Sequence, residues 1–282
     1  MSIARAILIT GCSTGIGLCA AEGLVVRGYR VFATARKPED VIMLQAKGLE
    51  ALQLDLADSA SIQAAVGEVL ARTEGRLDAL FNNAGYGQPG AVEDLSRDAL
   101  RAQFETNLFG MIELTNLVLP VMRQQGAGRI IQNSSLLGYV ALAYRGAYNA
   151  SKFAIEGITD TLRLELAGSG IHVSLIEPGP ISSRFRANAF ELYQRYIDKT
   201  HSVHRAKYEA MERRLTKLGP AAPFTLPPEA VLAALIHALE SKHPRIRYRV
   251  TVPSTLFMLC KRFLSDAMLD RVMLQVGKGE TK

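Results

Sequence analysis

Tyr148 and Lys152 stand four residues apart in a stretch with helical apolar spacing, so their side chains share one helix face, one turn apart. A phenol with an ordinary pKa of ~10 is a poor base at neutral pH. Lowering it by roughly 3 units takes about 4 kcal/mol of extra stabilisation of the phenolate. A neighbouring ammonium in a water-poor site is a source of that stabilisation, and the pair reads as a proton-transfer centre. With nine Tyr in the chain this spacing also arises by chance, so its context carries the weight. Ser134 and Ser135 close a strand-like run, where a hydroxyl can polarise a carbonyl. Asn107 is an amide in an otherwise apolar helical stretch and needs a partner.

A second group of residues suits an anion. Thr10-Gly11-Cys12-Ser13-Thr14-Gly15-Ile16-Gly17 joins the first strand-like run to the first helical one. Glycines there let the backbone turn sharply and let a diphosphate approach a helix N-terminus, where unpaired N–H groups and the positive pole of the helix dipole meet. Ser13 and Thr14 add hydroxyls. At the end of the second strand a carboxylate would hold the ribose of NAD, whereas Arg suits the 2′-phosphate of NADP. That strand ends in Ala35-Arg36-Lys37 with no carboxylate before Glu39, which favours NADP(H) over NAD(H). Asp55, beside Leu56 after the third strand, reads equally as an acceptor for the adenine amino group or as the cap of a turn. Asn82-Asn83-Ala84-Gly85 follows the fourth strand, where small and amide residues let a cofactor lie close and stitch neighbouring strands.

Every one of these motifs follows a predicted strand. Strand-like runs cover residues 6–10, 31–35, 51–54, 79–82, 129–133 and 172–177, with helical spacing at 15–26, 59–73, 97–122 and 147–167. Such alternation calls for parallel strands with helical crossovers, a doubly wound α/β sheet that binds ligands beyond its carboxyl edge. After Pro178 the pattern changes. Residues 184–217 are charged, rich in Tyr and Phe, and helical. A helix at 229–239, a last strand at 247–252 and an amphipathic stretch at 254–276 complete the chain. The expectation is one Rossmann-like domain of about seven strands with helices on both faces. Residues 1–183 would form the cofactor-binding and catalytic core, 184–226 a helical substrate lid, and 227–282 a helix–strand–helix extension.

No apolar run is long enough for a membrane span, and residues 6–10 lead straight into a glycine loop, which fits a buried strand better than a signal peptide. Three cysteines without a CxxC give no disulfide framework, and they and the five histidines suggest no metal site; a cytoplasmic setting fits. The net charge of +6 is uneven. Residues 1–183 hold 15 Lys/Arg against 18 Asp/Glu, 184–217 nine against four, and 242–282 nine against three. The basic segments read first as solvated faces and second as an attraction to anionic surfaces, with weak peripheral membrane contact as one form of it. No nucleic-acid reading motif accompanies them.

Together these motifs resemble the short-chain dehydrogenase/reductase family over nearly the whole chain. The resemblance rests on Thr10 to Gly17, Asn82 to Gly85, Asn107, Ser135, Tyr148-Asn149-Ala150-Ser151-Lys152 and Pro178-Gly179, in that order. It implies that Tyr148 is the general acid/base, and that Lys152 lowers its pKa and holds the nicotinamide ribose. Ser135 would position a carbonyl, and Asn107 would support a water relay to Lys152. Ser134 is set aside because its side chain should face the other way in an extended strand. Pro178, Gly179, Ile181 and Ser183 would clamp the nicotinamide, with Ser183 where Thr is common. The segments around Phe32 to Glu39 and Glu177 to Ile181 are similar to the retinol- and hydroxysteroid-dehydrogenase-like branch and to its bacterial NADP-dependent aldehyde reductases. A lipophilic aldehyde, ketone or alcohol is the expected substrate, with Phe185, Phe190, Tyr193, Tyr196 and Phe224 as apolar walls. The resemblance also implies a homodimer or homotetramer built on helices 97–122 and 147–167.

Overall fold

A computed structural model describes residues 4–220 and 222–280. Residues 1–3 of the N-terminal run, lid position Ala221 and residues 281–282 lie outside the described residues. Seven parallel strands form one sheet: β1 (Ala6–Ile9), β2 (Arg30–Ala35), β3 (Glu50–Gln53), β4 (Ala79–Asn82), β5 (Gly128–Asn133), β6 (Ile171–Glu177) and β7 (Arg247–Arg249). Their order is β3-β2-β1-β4-β5-β6-β7, so the winding reverses between β1 and β4. That reversal opens a crevice at the carboxyl edge.

Side chains alternate across the sheet, which gives it two apolar faces. Ile7 and Ile9 pack with Leu24 of α1 (Gly15–Val26) and Leu235 of α9 (Glu229–Glu240), whereas Leu8 and Phe32 pack with Ile62 and Leu114. The second face is covered by α3 (Ser59–Arg72) and α5 (Gly110–Gln125), and α6 (Gly146–Glu165) contacts β6 beside them. Asp58 caps α3 by accepting from Ala60 N. A short α2 (Pro38–Ala46), not anticipated from spacing, starts at a proline and buries only Leu44.

Three expected elements differ in detail. The helix expected over 97–122 is α4 (Arg97–Phe104) capped by Ser96, a π-helical turn Glu105–Phe109 around Asn107, and then α5. The last strand stops at Arg249, because Thr251 caps a helix that begins Val252-Pro253. The C-terminal amphipathic stretch is two helices, α10 (Val252–Phe263) and α11 (Asp266–Glu280). Leu269 and Met273 of α11 pack on Leu136, Leu137 and Val140, while Val252, Leu256, Leu259 and Phe263 leave one exposed apolar stripe along α10. No helix among the described residues is long and apolar enough to cross a membrane.

The segment after β6 forms α7 (Phe185–Tyr196) and α8 (Arg205–Thr216), which build a small separate cluster with Ala91, Ala189, Tyr193, Ile197 and Tyr208. Tyr208 donates to the Asp94 carboxylate and accepts from Ala91 N. Ser202 donates to the same carboxylate at 2.6 Å. His201 and His204 serve local packing here, on Asp198 and on Glu93 with Tyr144.

Candidate active site

A cleft of about 500 Å³ opens at the carboxyl edge of the sheet, between the first glycine loop, the ends of β4 and β5, α6, the segment after β6 and the lid. Gly11, Ser13, Thr14, Gly15 and Ile16 line it. Gly11 has φ +72, and a Cβ there would stand 2.8 Å from Ala84 Cα. Gly15 has φ +59, and its Cβ would stand 2.9 Å from that of Ser183. Gly17 lies behind the lining, where a Cβ would meet Gly11 O at 2.2 Å, so it lets α1 close on the loop. Thr14 precedes α1 with no side-chain capping bond, and the first turn holds no acid. The leading N–H groups therefore lack side-chain partners at the positive end of the helix, a cradle that fits the diphosphate of a dinucleotide.

Asn83, Ala84 and Gly85 line the next wall. Thr10 Oγ1 accepts from Asn83 N and Ala84 N, each at 2.9 Å, Asn83 donates to Thr10 O, and Asn133 donates to Asn83 Oδ1 at 3.0 Å. The amides thus join three strand ends, as their position suggested. Arg36 and Lys37 are exposed at the end of β2, outside the cleft lining, with Lys37 3.9 Å from Glu39. Asp55 forms a turn by accepting from Ala57 N at 3.0 Å through one of its two carboxylate oxygens. Leu56 is buried, and its carbonyl fills the space a Cβ on Gly110 would need.

Tyr148 and Lys152 both line the cleft from α6. Ser135 accepts from Leu137 N at 3.1 Å and stands close enough to Tyr148 to favour its ionised form. Ser134 lies instead toward Glu156, where Gly138 leaves room for both side chains. Burial pushes the Tyr148 hydroxyl up to about 12, against the lowering effects of Ser135 and Arg145. Burial likewise brings the Lys152 ammonium down to about 8, opposed by Glu156. Lys152 Nζ donates to Asn133 O at 2.6 Å and lies 5.7 Å from the Tyr148 ring centre. Burial outweighs the lowering contributions at the phenol, while the ammonium is turned to a backbone carbonyl. A protonated phenol is what results, the form that can give a proton to a carbonyl oxygen.

None of the hydrogen bonds of Asn107 goes to Lys152 directly. Its amide nitrogen donates to Tyr86 O at 2.9 Å and to Ser151 Oγ at 3.1 Å, and its oxygen accepts from Tyr86 N at 3.1 Å. It holds the segment after Gly85 against α6 at the π-helical turn. Pro178, Gly179, Ile181 and Ser183 all line the cleft.

Of the five aromatic residues expected as walls, only Phe185 lines the cleft, edge-on to Tyr148 with ring centres 5.4 Å apart. Phe190 and Tyr193 stack on each other within the lid, Tyr196 pairs with Arg195, and Phe224 is exposed. Spacing did not reveal Leu137, Leu142, Arg145, Arg186 and Arg214, which also line the cleft. Arg186 donates to the carbonyls of Arg214, Lys217 and Gly219 at the end of α8. Asn133, beside Ser134, was within reach of the strand-end rule that found the other motifs.

A model of the short chain dehydrogenase family matches residues 5–194. The chain is 41% identical to the uncharacterized oxidoreductase YbbO of Escherichia coli (strain K12), over 95% of this chain and 94% of that protein. It is 36% identical to 17-beta-hydroxysteroid dehydrogenase type 1 of Homo sapiens, over 87% of this chain and 77% of that one. Among solved structures, a short-chain dehydrogenase from Streptomyces avermitilis is similar with a TM-score of 0.76 and 30% identity, covering 99% of this chain and 97% of the other. The chain belongs to the short-chain dehydrogenase family, oxidoreductases that take a nicotinamide dinucleotide.

Proposed function

We propose that the protein reduces a lipophilic aldehyde or ketone with NADPH, and runs the alcohol oxidation in reverse. The observation that carries this reading is the Tyr148 phenol set beside Ser135 and Lys152, in a cleft floored by an uncapped helix. When bound, the dinucleotide supplies the hydride. Tyr148 gives its hydroxyl proton to the carbonyl oxygen, and Ser135 donates a hydrogen bond that holds that oxygen in place. Lys152 holds the ribose as an ammonium and makes the phenol easier to deprotonate once it faces the cofactor. Asn107 acts as a support, through Tyr86 and Ser151.

The loop from Gly11 to Gly17 would hold the diphosphate, with Ile181 and Ser183 clamping the nicotinamide end. Arg36 and Lys37 support NADP(H), since no carboxylate before Glu39 stands where it would repel a 2′-phosphate. Leu137, Leu142, Ile181 and Phe185 support an apolar substrate, and residues 184–226 would close over it. Among the described residues the charged side chains of the lining are Arg145, Lys152, Arg186 and Arg214, with no carboxylate, so carbonyl compounds bearing an ammonium group should be poor substrates.

Initial rates on a carbonyl panel with NADPH and NADH test the reading. Faster turnover of long aliphatic, retinoid or steroidal carbonyls with NADPH is expected. Activity confined to small polar carbonyls would overturn the substrate class, and equal or better rates with NADH would favour the NAD-dependent alcohol dehydrogenase reading. Exposed Phe109 at the π-helical turn and exposed Phe153 and Leu164 on α6 support a homodimer or homotetramer, which sedimentation checks. Three unpaired cysteines support a cytoplasmic setting. The apolar stripe of α10, next to Lys261 and Arg262, supports weak contact with anionic membranes; flotation with anionic vesicles tests it.

A further inference from the structure

One turn beyond Lys152 on α6 stands Glu156, which is also buried. Its Oε2 accepts from Arg247 Nε at 3.2 Å and from Arg247 Nη2 at 3.1 Å. Arg247, on β7, also holds Asp160 of α6 at 2.7 Å and Glu177 of β6 at 3.0 Å. Arg249 stands 3.3 Å from the second Glu177 oxygen, and Arg163 bonds the second Asp160 oxygen at 2.5 Å. Ser134, at the end of β5, completes the surroundings of Glu156, with Tyr139 nearby. Glu177 is only 1% exposed and immediately precedes Pro178 and Gly179 of the cleft wall.

Three carboxylates and three guanidinium groups therefore meet behind the cleft, tying α6 to the ends of β6 and β7. Desolvation makes such buried clusters a weak source of net stability. Its place is more telling: Glu156 shares a helix face with the buried Lys152 one turn away, and Glu177 immediately precedes the Pro178-Gly179 wall. We propose that Glu156 is a positioning residue for the Lys152 ammonium, tied through Arg247 and Glu177 to the Pro178-Gly179 wall. The inference rests on the reading of Lys152 as the ammonium that holds the cofactor ribose.

The sign of the effect follows from the charges. Burial lowers the Lys152 ammonium, and Glu156 opposes that shift. NADPH binding that uses the ammonium weakens as pH rises through the Lys152 pKa. Removing the Glu156 charge lowers that pKa further, so the loss must begin at lower pH.

Full-length Glu156→Gln and Glu156→Asp are compared with the parent protein by NADPH fluorescence and by initial rates with NADPH, across the pH range in which a buried lysine titrates. In Glu156→Gln the alkaline loss of binding should move down by about one pH unit, the scale set by a single close counter-charge, with KM for NADPH rising more at high pH than at low pH. Glu156→Asp keeps the charge and should restore most of the shift. A Glu156→Gln protein that melts cooperatively and keeps the parent pH dependence in both readouts overturns the proposal. Where the Gln variant does not fold, an Asp variant that lowers only the Tm, with the alkaline limb unmoved, overturns it equally. If the parent protein binds NADPH with no alkaline loss, it is the reading of Lys152 that fails. If it binds NADPH and reduces no carbonyl, the proposed reaction fails while the binding series still decides the role of Glu156.

Discussion

The proposed cofactor wall of the cleft and the proposed lid facing it are held by different kinds of contact. On the cofactor side the ends of β1, β4 and β5 are locked by Thr10, Asn83 and Asn133, and Gly11 and Gly17 close on neighbouring backbone with no room for a side chain. On the lid side, α7 and α8 rest on a small apolar cluster, and side chains such as Tyr208, Ser202 and Asp94 secure them to the core. The first wall is rigid because it is continuous with the sheet. The second rests on a small apolar cluster and a few polar contacts, so it should loosen before the core does. Chemistry should be sensitive to the first wall, and substrate choice to the second.

The sharpest test of that contrast is Tyr148→Phe. It should cost about 10²–10⁴-fold in kcat while NADPH binding, measured by fluorescence, stays nearly unchanged. Unchanged turnover would remove Tyr148 from the mechanism. Next in size is Gly17→Ala, where the new methyl meets Gly11 O at 2.2 Å and Asn83 Nδ2 at 2.7 Å. A loss of about 1–3 kcal/mol in thermal unfolding is expected, together with weaker NADPH binding. The lid counterpart Gly219→Ala meets nothing within 4 Å at φ +76 and should cost only about 1 kcal/mol. Arg36→Ala should raise KM for NADPH about tenfold or more and leave that for NADH alone, the size of a lost charge-assisted bond.

Phe185→Ala probes the lid directly. The lost edge contact with Tyr148 is worth about 0.5–1.5 kcal/mol, so KM for an apolar carbonyl should rise up to about tenfold with KM for NADPH unmoved. The smallest expected effect concerns acid. Ser202 and then Tyr208 hold the Asp94 carboxyl below its ordinary value. The stability it lends the lid is present above the unfolded pKa and is lost as pH falls through the lower folded one. Limited proteolysis of the lid should therefore quicken in acid before the core opens, and Asp94→Asn should remove that pH dependence. Simultaneous loosening of lid and core would erase the distinction between the walls.

Much of the scaffold was legible because its signals are local. All seven strands were found to within a few residues, since β-branched and aliphatic runs are bounded by glycine, proline and amide residues. The helix α2 was missed because its nine residues bury Leu44 alone, which leaves no periodicity to read. The π-helical turn at Asn107 was invisible because one extra residue in a helical repeat hardly changes the pattern of side-chain types. Tyr193 is aromatic and close in sequence to the cleft segment, yet it is buried within the lid; composition does not tell a lid core from a cleft wall.

What the sequence determined by itself was the set of chemical groups at strand ends and the pairing of Tyr148 with Lys152. An i, i+4 spacing on a helix fixes direction whatever the rest of the chain does. The tertiary structure alone decided where those groups turn. It set Lys152 on the Asn133 carbonyl, gathered Arg145, Arg186 and Arg214 around the cleft, and brought Arg247 from β7 onto Glu156 and Glu177. These partners lie tens of residues apart in the chain, and only the crossovers that wind the sheet bring them within bonding distance.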